Sequence, residues 1–363
     1  MKKIKLKLNN LTKIFGDLVA VDKLSAEIIE GEFVCILGPS GCGKTTTLKM
    51  ICGLESPTEG QVILDGTIIN HWEPKYRNIG LIFQDYAVFS TMIAFENLAF
   101  PLRIQKRPKS EIKKKVADVA KVLRVSQTTL NKLGRELSPS EMQRVALGRT
   151  MNANPSIFLL DEPLNMLDAD LREIMRGELK RIQKELGKTM IYVTHDQQEA
   201  MALGDRVLIM RDGKLQQFDT SLNVYYHPAN RFVAQFVGFP PMNFIGCLLK
   251  ASGGEFYVEW ESVFKLRVTN IIPHKFKEKG RTSRVTLGIR PEDIEVSPQP
   301  VSGEWIKLMV TSYELLGYEA VLGVSSRKKG NTITIVAPPD LKFNMGDNVW
   351  IKFNKENIHF FSE

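Results

Sequence analysis

One segment limits this chain more than any other: Gly38-Pro39-Ser40-Gly41-Cys42-Gly43-Lys44-Thr45, which satisfies G-x-x-x-x-G-K-[ST]. The pattern works only in one setting, after a strand and at the start of a helix. There the glycines let backbone N–H groups close around phosphates and the helix N-terminus adds a positive dipole. Here the apolar run Phe33-Val34-Cys35-Ile36-Leu37 precedes it and the helical Thr46-Thr47-Leu48-Lys49-Met50 follows. Lys44 would reach the β/γ-phosphates and Thr45 would offer a hydroxyl to Mg²⁺. A strand, a phosphate loop and a helix in that order require an α/β core.

Two further apolar runs, Ser156–Leu160 and Thr189–Val193, agree. Short continuous apolar runs separated by helical patterns read as strands of a sheet covered on both faces. The run Ile157-Phe158-Leu159-Leu160 ends in Asp161 and Glu162. Asp161 fits an acid on the Mg²⁺ side, and Glu162 fits a base that orients an attacking water. Another strand ends at His195, whose spacing alone leaves a γ-phosphate contact and a structural role both open. Between about residues 86 and 155 strand signals fade. Ile112, Val116, Val119 and Leu123 recur at helical spacing behind Ser110, which reads as an N-cap, so a helical insertion is expected.

From residue 236 the texture changes to short alternating stretches: Phe256–Val258, Val285–Leu287, Ile306–Val310, Thr332–Val336 and Val349–Phe353. Gly253-Gly254, Gly330-Asn331, Pro338-Pro339 and Gly346-Asp347 punctuate them, as a small all-β barrel of OB-like type requires, and Pro240-Pro241 marks the expected junction. Two domains follow, 1–235 and 236–363. Cys35, Cys42, Cys52 and Cys247 form no C-x-x-C pair, so neither a zinc site nor a disulfide framework is suggested. No run approaches a membrane span of roughly 20 residues, and the start alternates Lys with apolar residues without a continuous apolar stretch, unlike a secretion signal.

The net charge of +8 leaves anionic partners open until it is located. Residues 236–363 hold 16 basic and 14 acidic side chains, whereas Arg103, Lys106, Arg107, Lys109, Lys113, Lys114 and Lys115 crowd into thirteen residues with one acid, Glu111. The excess is local to the insertion. A solvated helix face and proximity to an anionic membrane leaflet are its two readings. The β-rich part lacks a basic stripe with interleaved aromatics, so nucleic acid is not expected as a partner.

In order, Phe15, the phosphate loop, Phe83-Gln84, Leu137-Ser138, Leu160-Asp161-Glu162-Pro163, Leu167-Asp168 and Val193-Thr194-His195-Asp196 resemble the ATPase subunit of an ABC transporter. The stretch Leu287-Gly288-Ile289-Arg290-Pro291-Glu292 resembles the opening of the β-barrel appended to importer ATPases for maltose, glycerol phosphate, polyamine and iron. Pro240–Phe244 is most similar to the carbohydrate branch. The resemblance implies ATP and Mg²⁺ as ligands. It places the ATP on Phe15, which would stack on adenine, and on Gly38 through Thr46. Thr45, Gln84 and Asp161 would hold the metal, while Glu162, His195, Gln84 and Lys44 would serve catalysis. Asp168 would cross a dimer interface, and residues 85–101 would face the membrane subunit. The implied partners are two membrane subunits, a second ATPase subunit or another copy of this chain, and an extracytoplasmic solute-binding protein. The implied location is peripheral, at the cytoplasmic face of the membrane.

One motif departs from that family. Its usual Leu-Ser-Gly-Gly-Gln closes over the γ-phosphate held by the opposite subunit, and here Leu137-Ser138-Pro139-Ser140-Glu141 stands instead. Pro139 removes a backbone donor, Ser140 adds a side chain where close approach is wanted, and Glu141 adds negative charge. Met142-Gln143-Arg144 keeps the register. Asn165-Met166-Leu167-Asp168 likewise replaces the usual Ser-Asn-Leu-Asp. An asymmetric heterodimer follows as the expectation, with an intact signature supplied by a second subunit.

Overall fold

The structure is a computed structural model and describes residues 3–260, 263–277, 282–300, 303–326 and 332–362. The turn expected at Gly330-Asn331 lies outside the described residues. Two compact units form, one up to Val224 and one from Tyr225 onward. The division therefore precedes the change of sequence texture at 236. The helix Arg231–Phe236 explains the difference: its Ala234 is buried against Met242 and Phe361 of the second unit.

At the centre of the first unit runs Phe33–Leu37, buried at all five positions. Its six-stranded sheet has the order Lys214–Thr220, Arg206–Arg211, Phe33–Leu37, Thr189–Thr194, Ile157–Asp161, Ile79–Ile82, parallel except for the pairing of Lys214–Thr220 with its neighbour. Continuous apolar sequence suits strands covered on both faces. The registers matter for function: Leu37 lies beside Thr194 and Asp161 beside Val193. The phosphate loop, His195 and Glu162 therefore leave the carboxyl ends of three adjacent parallel strands, where open α/β sheets bind ligands.

Covering one face is an antiparallel sheet ordered Leu18–Ile29, Ile4–Phe15, Glu59–Leu64, Thr67–Ile68. Its alternate residues Leu6, Leu8, Leu11, Val21 and Leu24 share a core with Val34, Ile36 and Ile51. Phe15 pairs with Leu18 at the hairpin tip, where Gly16 takes φ 55°.

The helical insertion comprises Ala94–Ile104, Lys109–Val122, Gln127–Leu130 and Pro139–Ala153. Leu98, Leu102, Ile112 and Val116 form its core. Ser110 is not the cap expected for the second helix. Lys106 turns the chain at φ 54° and Pro108 then occupies the N-cap in extended geometry, which puts Ser110 inside the first turn. The basic run is partly neutralised at home, since Arg103 pairs with Glu96 while Arg107 and Lys115 both approach Glu111.

The second unit holds two five-stranded antiparallel sheets around one core. Their orders are Phe264–Arg267, Glu255–Trp260, Asn243–Ser252, Thr282–Ile289, His359–Phe361 and Ile294–Ser297, Asn348–Phe353, Ile306–Leu315, Ala320–Ser325, Ile333–Ala337. Arg290 is buried and fully engaged, donating to the carbonyls of Tyr225 and Val237 with its guanidinium 3.6 Å from the Tyr225 ring. Pro291–Asp293 form a single 3₁₀ turn beside it, so the Arg-Pro-Glu segment is structural. Among the described residues no helix is long and apolar enough to cross a membrane.

Candidate functional site

The phosphate loop leads into the helix Lys44–Cys52 through Gly43, which has φ 100° and no side-chain cap. A Cβ at Gly43 would fall 2.3 Å from the Ala20 carbonyl oxygen, and one at Gly38 would fall 2.4 Å from that of Met210. Both approaches need glycine. Lys44 is buried and donates to the carbonyls of Gly38 and Pro39 at 2.8 and 3.0 Å, and Cys42 lies buried under the loop.

A cavity of about 530 Å³ opens over this helix N-terminus. Its wall includes Phe15, Ser40, Gly41, Gly43, Lys44, Thr45, Thr46 and Glu162. Phe15 is 45% exposed at the rim, so it is no core aromatic, and the Lys13 ammonium lies over its ring 4.7 Å from the centroid. From that wall Thr45 Oγ1 donates to Asp161 Oδ1 at 3.2 Å. Burial raises the Asp161 carboxyl above its usual range and the neighbouring Glu162 adds to the rise, against the Thr45 hydrogen bond. A hydroxyl and a carboxylate side by side form an all-oxygen donor pair of the kind Mg²⁺ takes together with phosphate and water.

Glu162 carries the most constrained backbone of the site. It sits in the left-handed region at φ 46°, with its N–H on the Val193 carbonyl at 3.0 Å. Non-glycine residues hold that region only where surroundings over-determine it. Its Oε2 lies 3.3 Å from His195 Nδ1 and accepts from Asn165 Nδ2 at 2.5 Å.

Gln84 does not line the cavity. It is exposed in the loop after Ile79–Ile82. That loop is nevertheless tied to the residue after Glu162: Tyr86 is buried and its hydroxyl donates to the Pro163 carbonyl at 2.8 Å, while Arg149 holds the Tyr86 and Ala87 carbonyls. Burial pushes the Tyr86 phenol up to about 12. A second support lies behind His195. Glu199 is buried and accepts from Thr194 Oγ1 and Tyr192 OH, and Arg172 approaches both Asp196 and Glu199 while donating to the Leu167 carbonyl. The sequence singled out none of Tyr86, Arg172 and Glu199, whose only signals are a Tyr two residues past Gln84 and acids shortly after His195. Asp168, expected at a dimer interface, caps its own helix Ala169–Leu186 by accepting from Leu171 N–H at 2.9 Å.

Ser138, Pro139, Ser140 and Glu141 lie at a different helix N-terminus, that of Pro139–Ala153, and not at this cavity. Ser138 is the N-cap and Pro139 takes the first helical position, where a missing N–H costs least. The charge expected to repel a triphosphate is already committed. Glu141 closes a capping box onto the Ser138 N–H and also accepts from Thr129 Oγ1 and Lys132 Nζ, each at 2.8 Å. Burial alone would raise its carboxyl, but Lys132, the Ser138 N–H and the Thr129 hydroxyl outweigh that and bring it down to about 2.

Comparison with known proteins agrees with this geometry. Residues 21–165 match the ABC transporter family and residues 287–361 match the TOBE domain. The chain is 42% identical to the trehalose/maltose import ATP-binding protein of Thermococcus litoralis, over 98% of this chain and 97% of that one. It is 40% identical to the sn-glycerol-3-phosphate import ATP-binding protein of Ruegeria pomeroyi, over 87% and 85%. Among solved structures, a dimeric ATP-binding cassette bound to ADP and Pi superposes with a TM-score of 0.54 at 34% identity, covering 60% of this chain and 98% of that one.

Proposed function

The chain belongs to the ATP-binding subunits of ABC importers that carry a C-terminal TOBE domain and is an ATPase, and from that premise we propose that it drives uptake of a carbohydrate. What carries the reading is one cavity wall that joins an exposed aromatic, the phosphate loop and the strained Glu162. The relative named for trehalose and maltose supports the solute class, as does the Pro240–Phe244 segment, whereas the relative named for glycerol phosphate favours the alternative of another solute. Phe15 stacks on adenine, the loop from Gly38 to Thr46 cradles the phosphates, and Lys44 moves from its carbonyl partners onto them. Glu162 orients the water and takes its proton, with His195 on the γ-phosphate side. Thr45 and Asp161, joined by Gln84 from its loop, would hold Mg²⁺, which neutralises phosphate charge when bound.

The partners in this reading are two membrane subunits and an extracytoplasmic solute-binding protein, with the chain peripheral at the cytoplasmic face. The loop from Asp85 and the first insertion helix meet the membrane subunit. An apolar groove there, between Leu81, Phe89, Phe100 and Ile104, supports that docking. Asp168 and the segment from Ser138 to Glu141 face the opposite ATPase. Pro139 and Ser140 in place of two glycines favour a heterodimer in which a second subunit supplies the intact signature. A homodimer is the second reading, favoured by the local neutralisation of Glu141.

Purified Glu162→Gln should retain ATP binding and lose at least about 100-fold in hydrolysis. Hydrolysis at the parent rate would remove Glu162 as the base. Robust cooperative hydrolysis by the chain alone would decide for the homodimer.

A further inference from the structure

One side-chain donor reaches a single oxygen of the base, and among the described residues none reaches the other. Asn165 Nδ2 reaches Glu162 Oε2 at 2.5 Å, and His195 Nδ1 lies 3.3 Å from the same atom. Only the amide nitrogen of Asn165 can face a carboxylate, because its carbonyl oxygen would repel it. Among the described residues nothing donates to Glu162 Oε1. The local backbone reinforces the arrangement, with Asn165 N–H on the Glu162 carbonyl at 3.3 Å and Leu167 N–H on that of Leu164 at 3.1 Å. This turn begins at the left-handed Glu162 and ends at Asp168, the cap of the next helix.

A carboxylate at the end of two methylenes can present either oxygen to a water. A base that must align one lone pair gains from losing that freedom beforehand. An amide reaches across the three-residue turn to Oε2, and a hydrogen bond onto an ionised carboxylate is among the stronger ones. The Ser-Asn-Leu-Asp pattern that this segment resembles has Ser at this position, whose hydroxyl sits on a shorter stem and offers a single donor. The side chain that differs from the family is therefore the one that touches the base.

We propose that Asn165 is a positioning residue for ATP hydrolysis: its side-chain amide pins Glu162 Oε2, so that Oε1 faces the attacking water. The inference rests on Glu162 acting as the base. Asn165 touches neither phosphate nor the water in this scheme, so its removal acts on kcat and not on nucleotide affinity.

The test uses the hydrolytically active assembly, whether this chain alone or with its partner subunits. Asn165→Ala should lower kcat about 10-fold, with KM for MgATP, affinity for a fluorescent ATP analogue and melting temperature unchanged. Asn165→Asp, which sets a second carboxylate against the first, should lower kcat further. Placed on a Glu162→Gln background, Asn165→Ala should add no further loss, because the group it positions is gone. An unchanged kcat in Asn165→Ala, with Glu162→Gln inactive, overturns the tether and leaves the base in place. A proportional loss in the double variant assigns Asn165 a role independent of Glu162. Parent-rate hydrolysis by Glu162→Gln removes the base itself and the inference with it.

Discussion

The first unit contains two helix N-termini that resemble each other in topology and differ in what their N–H groups do. At the phosphate loop, Gly43 caps the helix with no side chain, and no acid stands in its first turn. At the signature segment, Ser138 and Glu141 close a capping box, and Glu141 is further held by Thr129 and Lys132. A helix start leaves up to four N–H groups unsatisfied, and either side chains or a ligand can take them. The first end has no side-chain cap and, in the proposed reading, keeps its donors for phosphate, whereas the second engages its own side chains. The same backbone motif is thus left uncapped by side chains at one end and closed at the other. The distinction is made by residues within three positions of the cap.

The largest effect should come from putting a side chain into the open end. In Gly43→Ala the new Cβ meets the Ala20 carbonyl at 2.3 Å and the residue must hold φ 100°. The loop must shift, and ATP affinity should fall by at least about 100-fold, by nucleotide titration. Near-parent affinity would mean that the open cap is not what holds the phosphates. The converse change opens the closed end: Pro139→Gly, Ser140→Gly and Glu141→Gln together rebuild the family's loop. ATPase activity of the chain alone should rise about 10-fold. No rise would show that the capping box is compatible with turnover, and the contrast between the two ends would lose its functional meaning.

How much of this was legible in the sequence follows the range of the interactions. The phosphate loop could be read because its glycines answer a backbone geometry set within eight residues. The strand ending in Asp161 and Glu162 could be read because burial on both faces leaves a continuous apolar run. The second unit showed in the alternation of strands such as Ile306–Leu315, with Leu308 and Val310 inward. Pairings across longer separations were not visible. Glu141 looked like free charge because Thr129 and Lys132 lie twelve and nine residues upstream, joined to it only by the folded insertion. Asn165 stood out as a departure without a role, since its contact with Glu162 needs the left-handed turn between them. Ser110 was read as a cap by residue type, but the turn at Lys106 and Pro108 starts the helix earlier.

The smallest effects separate the two halves of the capping box and sharpen the contrast at its closed end. Glu141→Ala removes an acceptor shared by Lys132, Thr129 and the Ser138 N–H, and should cost about 1 to 2 kcal/mol near neutral pH. Ser138→Ala removes one neutral cap and should cost about 1 kcal/mol. Their pH dependence differs. Folding lowers the Glu141 carboxyl from 4.5 to about 2, so its contribution is full above the ordinary carboxylate range. That contribution drains away as the acid titrates between those values. Urea unfolding should therefore show the gap between parent and Glu141→Ala shrinking from pH 6 to pH 3, by roughly the order of the gap itself. The Ser138→Ala gap should shrink less, because the hydroxyl does not titrate. Equal, pH-independent gaps would mean that Lys132 and Glu141 are not paired in solution, and the second end would then be open to a phosphate after all.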